Sequence, residues 1–594
     1  MAYTAPVRDM MFDLEHLAGL ASISQLPGFE DATPDTARAV LEECARFNQE
    51  VIAPLNRTGD LQPSSWSNGV VTTTPGFRQA FQQFAEGGWQ GLQHPAEFGG
   101  QGLPKSISAA CTEMLNGANL SFALCPLLSD GAIEALLTAG NDDQKRRFIP
   151  RLIAGQWTGT MNLTEPQAGS DLALVRTRAE PQGDGTYRIF GQKIYITYGE
   201  HDMAENIVHL VLARLPDASP GVKGISLFIV PKMLEDGRRN DVWCASIEHK
   251  LGIKASPTAV LVYGDGKGEV GPGAIGELVG EPNRGLEYMF IMMNAARYAV
   301  GLQGVAVAEA AYQKAAAYAK DRVQSRPVDG SSAQAVPIVH HPDVRRMLMT
   351  MRALTEGARA LALVAASLHD VGRAHPDAQQ RAAHEAAYEF LVPLVKGFST
   401  EMSLEVASLG VQVHGGMGYI EDTGAAQYYR DARILTIYEG TTAIQANDLV
   451  GRKTVRDGCA LAMDFASRVG KTEDALRATG DAQAVAMAEQ LAQARQAYAQ
   501  VVAFIAANGK TDPNAAYAGS VPYLLLAGTL LAGWQLAQSW LATAQLGAED
   551  AAFAMAKRAT AAFYCAHLLP RCSALRDAVL QGADSVMTLP VEAF

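Results

Sequence analysis

The chain offers one carboxylate whose setting suits it to act as a base. Arg430-Asp431-Ala432-Arg433 is followed by Ile434-Leu435-Thr436-Ile437-Tyr438-Glu439-Gly440-Thr441-Thr442. A mostly apolar run therefore leads directly into Glu439 and a glycine. A carboxylate at the end of such a run is desolvated, and desolvation raises its proton affinity toward that of a working general base. The same pattern also describes a solvated glutamate at a helix start, where a negative charge complements the helix dipole. The pattern alone leaves both readings open.

Three other segments carry residue types that can hold a flat, polar ligand. Leu163-Thr164-Glu165-Pro166-Gln167-Ala168-Gly169-Ser170-Asp171 gathers hydroxyls, small residues and backbone amides in one loop. Such a loop can hydrogen-bond a heteroaromatic ring and let the backbone approach it, although an ordinary turn has the same composition. Gly191-Gln192-Lys193-Ile194-Tyr195-Ile196-Thr197 reads as a strand. Alternation turns Tyr195 and Thr197 to the same side, an aromatic plane beside a hydroxyl that could wall a flavin or face solvent. Gln412-Val413-His414-Gly415-Gly416-Met417-Gly418-Tyr419 has glycines where a backbone must pass close to something bulky.

The elements that position these segments fall into four regimes. Residues 1–157 show helical periodicity broken by loops, with a polar helix start at 142–147. Residues 158–282 contain short β-rich runs at 187–190, 194–197, 208–213 and 225–230 between Gly, Pro and Asp turns. They predict an antiparallel sheet or small barrel. Residues 283–455 return to long helices, one of them an Ala-rich stretch at 293–322. Residues 456–594 form a further helical region, with a polar linker expected at Gly470-Lys471-Thr472-Glu473-Asp474. Helical, β and helical blocks in that order argue against a doubly wound sheet, and no GxGxxG follows a strand.

Composition narrows the function classes. A 594-residue chain with 48% hydrophobic and 19% charged residues is long enough for several globular domains. Its net charge of −13 opposes sequence-independent nucleic-acid binding, which needs cations to displace counterions from phosphate. Cys44, Cys111, Cys125, Cys244, Cys459, Cys565 and Cys572 are scattered and form no CxxC pair. They read as reduced core thiols of a cytoplasmic protein, with no metal site and no secretory signal expected. The apolar stretch around 523–541 is interrupted by Gly528, Thr529, Gly533 and Gln535. It reads as a buried bundle helix, with membrane contact the lesser reading.

Taken together, the TEPxAGSD loop, the GQKxxIT strand, the QxHGGxGY loop and the YEGTT element resemble the acyl-CoA dehydrogenase family over roughly residues 95–453. The resemblance implies a multidomain α+β fold. Its parts would be a helical N-terminal domain at 1–157, a middle β domain at 158–282, a four-helix C-terminal domain at 283–455 and an additional helical domain at 456–594. It implies FAD as cofactor. Met161, Leu163, Thr164 and Ser170 would line the flavin, with Tyr195 (tryptophan in many members) and Thr197 on the facing strand. Arg322 and Gln324 would bind the pyrophosphate of a neighbouring subunit's FAD. Gln412, Val413, Gly415 and Gly416 would meet the adenine half, and Thr441 would touch FAD. Ser170, Asn294, Arg297 and Gly440 would contact substrate.

The activity implied is α,β-dehydrogenation of a fatty acyl-CoA to trans-2-enoyl-CoA, with Glu439 removing the α-proton and electrons leaving to electron-transfer flavoprotein. Some members carry the base on the earlier helix instead. Ala296 stands at that position here, so no second carboxylate competes. Ala443 and His340-His341-Pro342 replace glutamine-containing elements of other members. The region after about residue 460 resembles the extension of a large bacterial subgroup acting on fatty acyl-CoAs or on 3-(methylthio)propanoyl-CoA, which is the alternative substrate. In that subgroup the extension would take the place of tetramer contacts, so a homodimer is expected. An acyl-CoA oxidase is the remaining enzymatic alternative, because the shared fold does not choose the electron acceptor.

Overall fold

The computed structural model describes residues 3–594. The chain divides into two compact units. One comprises Met1–Arg46, Pro104–Gly117 and Arg297–Phe594, the other Phe47–Leu103 and Ala118–Ala296.

The second unit holds every strand: β1 Ser65–Ser67, β2 Val70–Thr72, β3 Trp157–Asn162, β4 Arg178–Pro181, β5 Thr186–Thr197, β6 Asn206–Ala213, β7 Ser226–Pro231, β8 Val242–Ile247, β9 Thr258–Tyr263 and β10 Ala274–Val279. β1 and β2 form a separate hairpin. The other eight make one sheet in the order β3-β6-β7-β10-β5-β9-β8, with β4 paired to β5. The expectation of an antiparallel sheet or small barrel is corrected at one edge, where β3 runs parallel to β6 from Trp157↔Asn206 to Asn162↔Val211. A parallel pair needs a crossover rather than a tight turn, and β4 and β5 supply it. The two runs expected at 187–190 and 194–197 are one strand, β5, carrying a bulge between Lys193 and Ile196.

One face of this sheet packs against the helices Leu120–Ala139 and Asp142–Ile153 through Leu136, Phe148, Leu152, Leu210 and Ile229. The second of these helices begins at the polar stretch with a capping box between Asn141 and Gln144. Inside the sheet, the Thr158 hydroxyl bonds His201 Nε2 at 2.8 Å and the Thr160 hydroxyl bonds His209 Nδ1 at 2.8 Å. Asn162 donates to Thr160 Oγ1 and accepts from the Tyr263 hydroxyl. Burial holds both imidazoles down to about 3, so they are neutral partners of a polar ladder along β3.

The first unit is helical. Pro342–Ala374 and Ala378–His414 are long neighbours joined by a short loop, and the Asp377 side chain caps the second. Of the helices in residues 456–594, Ser520–Ala542 packs against both. At Gly528 an added Cβ would lie 2.4 Å from Phe398 Cβ, a backbone approach that no larger residue permits. Lys557, 1% exposed, pairs with Asp9 at 2.8 Å and Glu356 at 3.2 Å. All seven cysteines are free and buried. Leu120–Ala139 and Ser520–Gln545 are long and apolar enough to cross a membrane, yet 78% and 83% of their most apolar windows are buried in protein.

The linker expected at 470–474 is absent. Those residues lie inside the helix Ala460–Ala478. Thr472 accepts from Trp534 Nε1 at 2.8 Å, and Glu473 is buried against Arg495 at 2.6 Å. Partners distant in sequence override a locally polar composition.

The neutral histidines set a pH dependence. A histidine whose folded pKa is depressed contributes stability that is complete above its unfolded value near 6.5 and is lost as pH falls toward the folded value. His209→Gln should therefore lose about 2 kcal/mol less stability than the wild type between pH 7 and pH 5. Thermal midpoints of the two proteins at both pH values measure this; parallel slopes would refute it.

Candidate active site

Glu439 sits in a turn between a 3-10 segment, Arg433–Thr436, and the helix Thr442–Asp448. Its φ is +54° and that of Gly440 is +90°. Two successive left-handed residues redirect the chain sharply. A non-glycine in that region costs roughly 1–2 kcal/mol, so the surroundings must hold it. Thr441 caps the following helix through Ile444 N–H, and the Thr442 hydroxyl donates to Glu401. Gln445 Nε2 donates to the carbonyls of Glu439 and Gly440, each at 3.3 Å. The Tyr438 hydroxyl donates to buried Gln303, whose Nε2 reaches Asn116 Oδ1 at 3.1 Å.

Glu439 is half-buried, and enclosure of its carboxyl pushes the pKa above the usual glutamate value. The positive charges of Arg297 and Lys396 oppose that rise. Arg297, 3% exposed, lies on the helix Gly285–Asp321, with Nη1 3.7 Å from Asp448 Oδ2. Lys396 is fully buried and donates to the carbonyls of Leu435 at 2.8 Å and Gly440 at 2.7 Å. The carboxylate is thus desolvated, near two buried cations, and carried on a turn braced from several sides. Such an arrangement suits proton abstraction from a weak carbon acid.

The other residues singled out in this unit lie at two further places. Arg322 and Gln324 are exposed and bond each other at 3.3 Å, in a loop where Gln324 O accepts from His341. Gln412, Gly415 and Gly416 are exposed at the end of the helix Ala378–His414, where a Cβ on either glycine would meet nothing within 4 Å. Val413 turns its side chain inward.

In the other unit, Met161 lies one residue before the end of β3, and Leu163 and Thr164 follow the strand, half-buried, with Ser170 exposed beyond. The bulge gives Tyr195 a φ of +60°. It leaves the ring 61% exposed and Thr197 half-buried on the same side, while Lys193 and Ile196 point inward. Asn294 is half-buried and Ala296 buried, on the helix that continues to Arg297.

Sequence reasoning missed what braces this loop. Lys193 Nζ reaches Glu165 Oε1 at 2.8 Å and Leu163 O at 3.0 Å, both side chains being buried. Burial alone would raise the Glu165 pKa, but Lys193, the Thr177 hydroxyl and the Arg176 N–H outweigh it and hold it down to about 2. Burial lowers Lys193 to about 8 despite its partner, so both remain ionised at neutral pH. Also missed were Lys396, Gln303 and Gln445. For Lys396 a signal existed: it is the lone charge in Phe390-Leu391-Val392-Pro393-Leu394-Val395-Lys396-Gly397-Phe398.

An exposed ring beside a half-buried hydroxyl and a pinned loop with an open rim can take a flat tricyclic ring on its face. Gln445 Oε1, buried without a hydrogen-bond donor beside the Glu439 turn, can take one from a hydroxyl of a bound molecule. The face at Tyr195 by itself fits a flavin ring.

Comparison with known proteins points the same way. Residues 34–156, 160–265 and 283–453 match the families described as acyl-CoA dehydrogenase N-terminal, middle and C-terminal domains. Residues 465–590 match acetyl-CoA dehydrogenase C-terminal like. A 3-methylmercaptopropionyl-CoA dehydrogenase of Ruegeria pomeroyi is 56% identical over 595 residues, covering 99% of this chain and 100% of that one. The broad-specificity linear acyl-CoA dehydrogenase FadE5 of Mycobacterium tuberculosis is 36% identical, with both chains covered completely. The fold is shared with an acyl-CoA dehydrogenase complexed with FAD from Bacillus anthracis. Its TM-score is 0.75 at 24% identity, covering 94% of this chain and 90% of that one.

Two substitutions test the bracing. Lys193→Met leaves Glu165 as an unpaired buried carboxylate beside the loop, so the purified protein should hold less than about a tenth of wild-type flavin under equal conditions; full flavin content would contradict the assignment. Gly440→Ala forces a Cβ to 2.8 Å from Gln445 Nε2 at φ +90°. Its turnover should fall by about 10²-fold with flavin retained, and an unchanged rate would show the turn to be tolerant.

Proposed function

The chain belongs to the acyl-CoA dehydrogenase family, and from that premise we propose that it oxidises the Cα–Cβ bond of 3-(methylthio)propanoyl-CoA, with Glu439 as the base. FAD is the cofactor, and when bound it supplies the two-electron acceptor for the β-hydrogen. The observation that carries the reading is the enclosed Glu439 carboxyl on its braced left-handed turn.

Each part of the chain has a task in this reaction. The Glu439 carboxylate takes the α-proton, and the pair left on Cα forms the new double bond as hydride leaves Cβ. Desolvation raises the proton affinity of the carboxylate, while Arg297 and Lys396 oppose that rise and favour its ionised form. The thioester carbonyl accepts from the Glu439 N–H, so charge developing on its oxygen meets a fixed dipole. Tyr195 and Thr197 offer one wall for the ring, and the loop pinned by Lys193 offers backbone groups to its edge.

The full-length likeness to the Ruegeria pomeroyi enzyme supports the sulfur-containing thioester ahead of the straight-chain fatty acyl-CoA that the motifs alone put first. Straight-chain acyl-CoAs are the second reading, supported by FadE5 and, for a short chain, by butyryl-CoA dehydrogenases of Syntrophomonas wolfei at 31% and 30% identity. Electrons pass to electron-transfer flavoprotein, the enzyme is a cytoplasmic homodimer, and the product is the 2-enoyl thioester.

Anaerobic flavin bleaching with a panel of thioesters should show the highest kcat/KM for 3-(methylthio)propanoyl-CoA. A preference for butanoyl- or octanoyl-CoA by tenfold or more (about 1.4 kcal/mol) would overturn the substrate assignment. Glu439→Gln should keep FAD and bind thioester while losing at least about 10³-fold in reduction rate. Wild-type reduction should decline on the acid side at a pH above the ordinary glutamate value, because only the ionised base works. Stoichiometric hydrogen peroxide in air would instead mark an oxidase.

A further inference from the structure

Lys396 lies within the helix Ala378–His414 with no exposed surface. Burying an ammonium is costly unless something fixed repays it, and no carboxylate lies within ion-pairing distance of this one among the described residues. Its partners are two backbone carbonyls, Leu435 O at 2.8 Å and Gly440 O at 2.7 Å. Those carbonyls bracket the segment that contains Glu439, and Gly440 O also accepts from Gln445. One side chain therefore closes a loop around the left-handed residue. An apolar residue would fill the helix interior at lower cost but would leave both carbonyls unpaired.

We propose that Lys396 is a positioning residue for the Glu439 base: by tying the carbonyls of Leu435 and Gly440 together, it fixes the turn and the direction of the carboxylate. This rests on the reading of Glu439 as the base. The charge of Lys396 acts on the base as well. The groups acting on Glu439 are Arg297, from the helix Gly285–Asp321, and Lys396 itself. Lys396 in turn feels Glu439, Arg297 and Glu401, and Arg297 feels Asp448 and Arg452. Burial lowers Lys396 to about 8, so it is charged at neutral pH. Removing that charge disfavours the ionised carboxylate and moves the acid limb of the rate profile upward.

The test is anaerobic reduction of the flavin-loaded enzyme by 3-(methylthio)propanoyl-CoA and by butanoyl-CoA across pH, for the wild type, Lys396→Met, Lys396→Arg and Glu439→Gln. Lys396→Met should lose about 10²-fold in limiting rate, with half-saturation within about threefold of wild type and the acid limb displaced to higher pH. Lys396→Arg keeps a buried cation but replaces a compact ammonium with a planar fork. Its limb should stay in place and its rate should fall less. A Lys396→Met rate within about threefold of wild type, or a loss matched by half-saturation with the limb unmoved, overturns the proposal. If Lys396→Met yields no flavin-loaded protein, Lys396→Arg decides: a reduced rate with an unmoved limb supports positioning, and a wild-type rate or a displaced limb refutes it. Glu439→Gln separates the two claims. Turnover retained there fails the base assignment, whereas turnover lost there but kept in Lys396→Met fails the positioning role alone.

Discussion

In the proposed reaction Glu439 has to be kept out of water and yet kept ionised, and one turn has to meet both demands. Desolvation by itself raises the proton affinity of Glu439. Lys396 and Arg297 oppose that outcome from two different helices, and each is itself expensive to bury. The helices of this unit are therefore more than a container. Their packing excludes water from two cations whose value lies in where they are held. The left-handed Glu439 adds strain of the kind found at functional sites, and it persists because Gln445, Lys396 and the cap at Thr441 over-determine it.

The other unit solves a similar problem with similar means. Lys193 and Glu165 are both buried, and both are bonded into the backbone of the loop after β3. A bulge in β5 makes this compatible with an exposed Tyr195. Without the extra residue, strict alternation would put Lys193 and Tyr195 on the same face. The bulge sends the lysine inward to brace the loop and the tyrosine outward to offer its ring. Two buried lysines thus perform one kind of task, each donating to a backbone carbonyl of the segment it braces.

Residues 456–594 are integrated into the helical unit rather than appended to it. The helix Ser520–Ala542 meets Ala378–His414 so closely that Gly528 has no room for a side chain against Phe398, and that second helix carries Lys396. Lys557 ties the same region to Asp9 and Glu356. The extension thereby supports the helix from which the Glu439 turn is braced, and this explains why a composition-based linker at 470–474 turns into a well-packed helix.

By itself the sequence determined the kind of chemistry. The order of the four motifs, the helical–β–helical regimes and the absence of a rival carboxylate at Ala296 are all one-dimensional facts, and the fold class and cofactor follow from them. The interrupted apolar run at 523–541 also marked a buried helix. What only the tertiary structure decided is which polar groups are removed from water. Lys396 and Leu435 are 39 positions apart, as are many pairs that never meet. The parallel pairing of β3 with β6, the inward turn of Lys193 and the helix through 470–474 likewise depend on partners supplied by distant segments. Whether Glu439 was a solvated helix-start residue or a desolvated carboxylate stayed open in the sequence for the same reason. Desolvation is a property of what surrounds a side chain in space, and neighbours along the chain are a small part of that.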